Sequence, residues 1–186
     1  MSRILRTICL AAAVMLAAPP TLAQAPPGPA QPGDAFGLEV VMPERSIVFM
    51  SSMAQWDTAF ESIVDAFKTV YALLEREGIR PAGSALVIYT SADDVGFEFQ
   101  AAVPITESFK KAPQGDIGVG KSPPGKAFKF VHRGSYDAMD DTYEAITNFL
   151  DEKGIDAKDL FIEEYVTDPR TTPEDQLVIN VLVPVH

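Results

Sequence analysis

Between residues 60 and 74 apolar side chains return at every third or fourth position: Phe60, Ile63, Val64, Phe67, Val70, Tyr71 and Leu74. That spacing predicts an amphipathic helix. Ser52 followed by Gln55 fits a capping box at its start, and Gly78 suits the position just past its end. A second helix is predicted from Tyr136, Met139, Tyr143, Ile146 and Leu150, capped by Ser135 and stopped by Gly154. Shorter runs of β-forming residues occupy 46–50, 85–89, 97–103, 127–131, 160–166 and 177–183. Each half therefore reads strand–helix–strand–strand. Six strands and two helices predict an α+β fold with an antiparallel or mixed sheet. Both helices would lie on one face, leaving a concave ligand groove on the other.

The two halves, at about 44–107 and 124–186, repeat each other. At an offset of 76 residues Phe60 falls on Tyr136, Phe67 on Tyr143, Leu74 on Leu150, Gly78 on Gly154 and Tyr89 on Tyr165. Val103-Pro104 meets Val183-Pro184 after four further residues. Two copies of one unit pack about a pseudo-twofold axis, and the groove between them is a natural ligand site. Residues 105–124 read as a linker. They contain a literal phosphate-loop pattern, Gly115 to Gly120-Lys121-Ser122, but Pro123-Pro124 bars the helix that such a loop needs.

Composition adds a destination. Arg3 and Arg6, an apolar run from Ile8 to Leu16 and Ala23-Gln24-Ala25 form a secretory signal pattern over 1–25. The apolar run is too short for a comfortable membrane span, so no stable span is expected after cleavage; a retained anchor is the alternative. The only cysteine, Cys9, lies inside it. Residues 26–37 form a Pro/Gly-rich linker, and 38–186 form one domain. Loss of two arginines takes the formal charge from -11 to -13. The expected product is acidic, periplasmic and disulfide-free. Its surface gives no footprint for nucleic acid.

Alternation along 161–165 puts Phe161, Glu163 and Tyr165 on one side, with Ile162 and Val166 turned toward the helices. The equivalent first-half positions are Ala85, Val87 and Tyr89, so one acid replaces a valine. A carboxylate on a central apolar strand must be paired, hydrogen-bonded or protonated. It suits a bound cation between aromatic walls, or equally a salt bridge to Lys126, Lys129 or Arg133. Glu164 is the rival acid on the other face. Trp56 either walls a pocket or fills the core, and Tyr136 opens the second helix. The histidines, His132 and His186, have no partners at metal-site spacing, so neither a metal nor a cofactor is expected.

Several stretches together resemble the GyrI-like small-molecule-binding family, related to effector-binding domains of multidrug-responsive bacterial transcription activators. They are Pro124-Gly-Lys-Ala-Phe, His132-Arg-Gly-Ser-Tyr-Asp137, Phe161-Ile-Glu-Glu-Tyr-Val-Thr-Asp-Pro169, Thr172-Pro-Glu and Val183-Pro184. The resemblance implies two strand–helix–strand–strand repeats with a groove between them. It implies that Glu163, two residues before Tyr165, is the groove acid, with Tyr136 and Tyr165 beside it. Relatives of this kind bind cationic aromatic compounds; some inhibit DNA gyrase and others hydrolyse reactive cyclopropane-bearing compounds. The leader and the lack of an attached DNA-binding helix depart from the activator pattern.

The leading expectation is an exported small-molecule-binding domain for an apolar, aromatic or cationic ligand. Trp56, Tyr89, Tyr136, Phe161 and Tyr165 would surround Glu163. A hydrolase using Glu163 to activate water is the first alternative. An envelope protein-interaction module is the second, and a haem carrier on a similar duplicated fold a weaker third.

Overall fold

The computed structural model describes residues 35–186. The expected leader at 1–25, with Cys9, and most of the expected linker at 26–37 lie outside the described residues. In chain order the elements are β1 (Leu38–Met42), β2 (Ser46–Gln55), α1 (Ala59–Glu77), β3 (Ala85–Ala92), β4 (Gly96–Pro104), β5 (Ile117–Lys121), β6 (Gly125–Arg133), α2 (Met139–Lys153), β7 (Ile162–Tyr165) and β8 (Val178–Pro184). One antiparallel sheet holds all eight strands, in the order β1-β6-β8-β7-β3-β4-β2-β5. The α+β fold is the expected one. Among the described residues no helix is long and apolar enough to cross a membrane.

Two of the strands, β1 and β5, were not foreseen. The expected linker contains β5, whose Lys121 lies opposite Ser46 and whose Val119 lies opposite Val48. The phosphate-loop lookalike is thus mostly a strand. Its glycines have a packing role: a Cβ on Gly118 would stand 2.6 Å from the Phe49 ring, and one on Gly120 3.3 Å from it. Phe49 lies across a strip that has no side chains. Gly118→Ala will force the ring aside and cost about 1 kcal/mol, read as a lowered midpoint in urea.

The strand order is symmetric about the β3–β7 junction. On one side stand β3, β4 and β2, on the other their repeat equivalents β7, β8 and β6. Beyond each trio lies the opening strand of the other half: β1 pairs with β6, and β5 with β2. Only short links carry β1 into β2 and β5 into β6, so the two sheet edges are drawn together at that end. Arg45 N–H donates to Ser122 Oγ at 3.0 Å, and Ser122 N–H donates to the Arg45 carbonyl at 2.9 Å. The sheet curls around Met42, Ile47, Leu86, Ile88, Ala102, Ala127, Ile162 and Leu182, which form a small cluster on the face without helices.

Both helices cover the opposite face. Ile63, Phe67, Val70 and Leu74 of α1 and Met139, Ile146 and Leu150 of α2 are buried there against Val87, Phe99, Phe130 and Val181. This buried stripe is the one that the sequence periodicity marked. Gly78 and Gly154 take left-handed φ values of 69° and 62°, where a side chain would be strained, and both end their helices as expected.

The Ser52 capping box is overturned. Strand β2 stays in register with β4 as far as Gln55 opposite Gly96, and its ladder outweighs the local capping signal. A single 3-10 turn, Trp56–Thr58, then leads into α1. The second half behaves as anticipated: Ser135 Oγ accepts from the Asp137 N–H at 3.4 Å, capping the turn Tyr136–Ala138. Helix α1 has 19 residues and α2 has 15, one turn fewer. That extra turn changes the repeat offset, so Trp56 and Tyr136 open equivalent turns. Phe60, which the offset of 76 matched to Tyr136, stacks on it at 5.1 Å between ring centroids.

Candidate functional site

Glu163 on β7 faces Val87 on β3 in the ladder. These are repeat equivalents, so the pair lies at the pseudo-twofold axis. Burial of the glutamate is complete, at 0% exposure. Tyr89 and Tyr143 donate their hydroxyls to its Oε1, each at 2.8 Å, and Tyr165 donates to Oε2 at 2.9 Å. A phenol has one proton to give. Since the Tyr89 proton is committed to Glu163, Tyr136 donates to the Tyr89 oxygen across 3.1 Å. Four tyrosines thus form a relay that ends on one carboxylate.

The salt-bridge reading of Glu163 does not fit this register. Counting across the sheet, Glu163 lies opposite Val181, and Val181 lies opposite Phe130. An apolar ring occupies the place where a lysine or arginine was considered, and Lys129 points to the other face. Burial raises the Glu163 pKa above its ordinary value, despite the opposing effect of three phenol donors. Burial and the nearby carboxylate push Tyr89, Tyr143 and Tyr165 well above the usual phenol range, as they do Tyr136. These hydroxyls stay protonated throughout the physiological range and remain fixed donors.

A cavity of about 490 Å³ opens beside the relay, lined by Trp56, Ala59, Tyr89, Ala92, Tyr136, Asp137, Met139, Asp140, Tyr143 and Phe161. It lies between the starts of the two helices, over β3 and the approach to β7. The sequence-based expectation put the groove on the face away from the helices, with Ile162 and Val166 turned toward them. The facing of the two residue sets is reversed. Ile162 packs with Leu86 and Ile88 on the curled face, and Val166 lies beyond the end of β7, half exposed. The Glu163 side meets the helices because Tyr165 packs edge-on against Phe67 of α1 and Tyr143 comes from α2.

Of the six residues singled out in the sequence, Trp56, Tyr89, Tyr136 and Phe161 line the cavity. Glu163 and Tyr165 do not line it; they stand behind the hydroxyl layer. Trp56 is a wall, not a core plug: it is 46% exposed. Its indole N–H donates to the Asp93 carbonyl at 2.8 Å and its ring rests on Phe97 at 4.7 Å. Tyr143 was read as core; the available signal was a tyrosine where the first repeat has Phe67. Asp137 and Asp140 were not named as site residues, because acids in a first helical turn ordinarily serve the helix itself. Among the described residues no lysine, arginine or histidine lines the cavity.

His132 supports the site from β6. Its Nε2 donates to the Ser135 carbonyl at 3.0 Å, which leaves Nδ1 to accept from Thr142 Oγ1 at 2.8 Å. Burial lowers its pKa below the ordinary imidazole value. The ring thus ties β6 to the turn that presents Tyr136. Among the described residues no group of three His, Cys, Asp or Glu could hold a metal ion.

The GyrI-like small molecule binding domain family matches residues 39–186. The chain belongs to that family. No curated protein sequence matches it. Structurally, the GyrI-like domain is similar to the C-terminal domain of EcmrR, with a TM-score of 0.67 at 12% identity, covering 81% of this chain and 96% of that one. In the EcmrR–DNA complex the same likeness spans only 57% of the EcmrR chain. SAV2435 bound to tetraphenylphosphonium aligns with a TM-score of 0.57 at 13% identity, over 82% of this chain and 94% of that one. A hydrolase from Listeria innocua aligns at 0.54 and 11% identity, over 81% and 92%. At these identities the likenesses concern the GyrI-like fold alone.

Proposed function

We propose that this GyrI-like domain captures lipophilic organic cations in the cavity between its helix starts. The observation that carries the reading is a fully buried carboxylate with three phenol donors and no basic group, one layer behind an aromatic cavity. Trp56, Tyr89, Tyr136, Tyr143 and Phe161 offer π faces to a cation. Asp137 and Asp140 add two carboxylates at the wall. Helix starts carry about half a positive charge each, which works against a cation. The carboxylates Asp137 and Asp140 at the wall, with Glu163 behind them, oppose that effect. Its size falls within the usual range for small-ligand sites, roughly 300–1,000 Å³.

Glu163 acts in this reading without touching the ligand. Tyr89 and Tyr143 are hydrogen-bonded to it, so their ring faces and oxygens become more electron-rich toward the cavity. Hydrolysis by a Glu163-activated water fits less well. Oε1 already accepts two hydrogen bonds and Oε2 one, and the carboxylate is sealed behind the hydroxyl layer. The proposal includes export of the domain, on the strength of the leader pattern at 1–25.

Titration calorimetry with tetraphenylphosphonium tests the reading. Saturable binding is expected, together with a raised melting temperature. Trp56→Ala and Tyr136→Ala will each weaken it about tenfold, the effect of removing one aromatic wall from a cation. Failure of this and related aromatic cations to bind the folded domain would refute the proposal.

A further inference from the structure

The curled face holds a second, smaller cavity of opposite electrical character. It measures about 150 Å³ and is bounded by β1, β3, β6, β7, β8 and the connections at Pro43–Arg45 and Ser122–Pro123. Its apolar floor is Met42, Leu86, Ile162 and Leu182, all buried. Arg45, Lys129 and Glu164 stand around it. Glu164 Oε2 accepts from Asn180 Nδ2 at 2.9 Å, and its Oε1 lies 3.6 Å from Arg45 Nη1. Lys129 is half buried, and its ammonium has no hydrogen-bond or ion-pair partner among the described residues.

Two cations against one acid leave this cavity with a formal charge of +1, in a chain whose formal charge is -11. The unpaired ammonium of Lys129 at the rim of an apolar floor is available to an incoming anion. The volume is that of an apolar cavity that takes one benzene-sized molecule, about 150 Å³.

We infer that the curled face is a second binding site, for a small organic carboxylate whose compact apolar body covers Leu86, Ile162 and Leu182 while its carboxylate meets Lys129 and Arg45. Alternation along β7 sets the two sites back to back. Glu163 faces the aromatic cavity and Glu164 the cationic one, so the inference is independent of the proposed cation site.

Benzoate is the probe, titrated calorimetrically into the full chain, with benzyl alcohol and inorganic phosphate as controls. Benzoate will bind saturably; the alcohol lacks the charge and phosphate the apolar body, so both will bind at least about tenfold more weakly. Lys129→Gln will weaken benzoate about tenfold. Glu164→Gln removes the competing carboxylate and will strengthen it about threefold, a gain that a damaged fold does not produce. Absence of saturable benzoate binding overturns the inference, as does equal binding of the alcohol or of phosphate. So does unchanged affinity in both variants. Loss of benzoate binding in Trp56→Ala with none in Lys129→Gln would put the ligand in the helix-side cavity and equally overturn it.

Discussion

Glu163→Gln will abolish most of the affinity for tetraphenylphosphonium while leaving the domain folded and, at neutral pH, at least as stable. Glutamine keeps the shape. Its carbonyl oxygen takes over acceptance from Tyr89 and Tyr143, and its amide group can donate to the Tyr165 oxygen, now free to accept. What disappears is the countercharge. The expected loss is about 2 kcal/mol, roughly thirtyfold in Kd.

The pH dependence gives the same substitution a signature of its own. The folded-state pKa of Glu163 is raised above 4.5. The folded protein therefore holds this proton more tightly than the unfolded chain does. Its contribution to stability is fully present below the unfolded pKa and is lost as pH rises through the folded pKa. Denaturation at a series of pH values will show the glutamine variant gaining on the native protein as pH rises from the unfolded to the folded pKa of Glu163, then levelling off above it. His132, whose pKa is lowered, acts in the opposite sense: its contribution is lost as pH falls below its unfolded value of 6.5. It is common to both proteins and cancels in the difference. Cation binding favours ionised Glu163, so native affinity will rise with pH over the same window and the variant's will not. Equal pH profiles for the two proteins would remove Glu163 from the binding account.

Gly96→Ala is expected to have the largest effect on stability. A Cβ at Gly96 would stand 2.2 Å from the Ala54 carbonyl oxygen and 3.1 Å from the Gln55 Cα. Both obstacles are backbone atoms of β2, and no rotamer change can relieve the clash. The ladder between β2 and β4 must open just where Gln55 faces Gly96, one residue before Trp56. The turn that holds the Trp56 indole through Asp93 belongs to the same hairpin. About 3 kcal/mol is expected, or a fall of roughly 6–12 °C in Tm. Because Trp56 moves with the strand end, cation affinity will fall as well. Gly118→Ala meets only a ring edge and will have a smaller effect on Tm; the reverse ranking would contradict the packing described for both glycines.

The two helices and six of the strands were legible because burial on one side imposes a period of 3.6 or 2 on the residues that carry it. Strands β1 and β5 carry no such period. Both are edge strands of five residues, and the Gly-Val-Gly of β5 exists for the Phe49 ring. Their extended form comes from the strands they pair with. Alternation separated Glu163 and Tyr165 from Ile162 and Glu164, but it sorts residues into two sets without saying which set meets the helices. The two sets were therefore given the wrong faces, although four of the ten residues lining the helix-side cavity were named. Tyr143 was hidden in a helical stripe that is otherwise core. Only its hydroxyl, absent from Phe67, distinguishes it.

The exchange of opening strands between the halves bears on how the chain reaches this state. With β1 laid on β6 and β5 on β2, each half lacks an edge until the other supplies it. Neither repeat is then an autonomous folding unit, and denaturation should proceed in one cooperative step despite the internal duplication. The same arrangement fits an ancestor that assembled as a pair of identical chains with swapped arms, later fused in tandem. In such a pair any residue on the dyad is present twice, face to face. Two glutamates facing each other at the Val87 and Glu163 positions would repel in an apolar core, so a single carboxylate there requires two copies joined in one chain and free to differ.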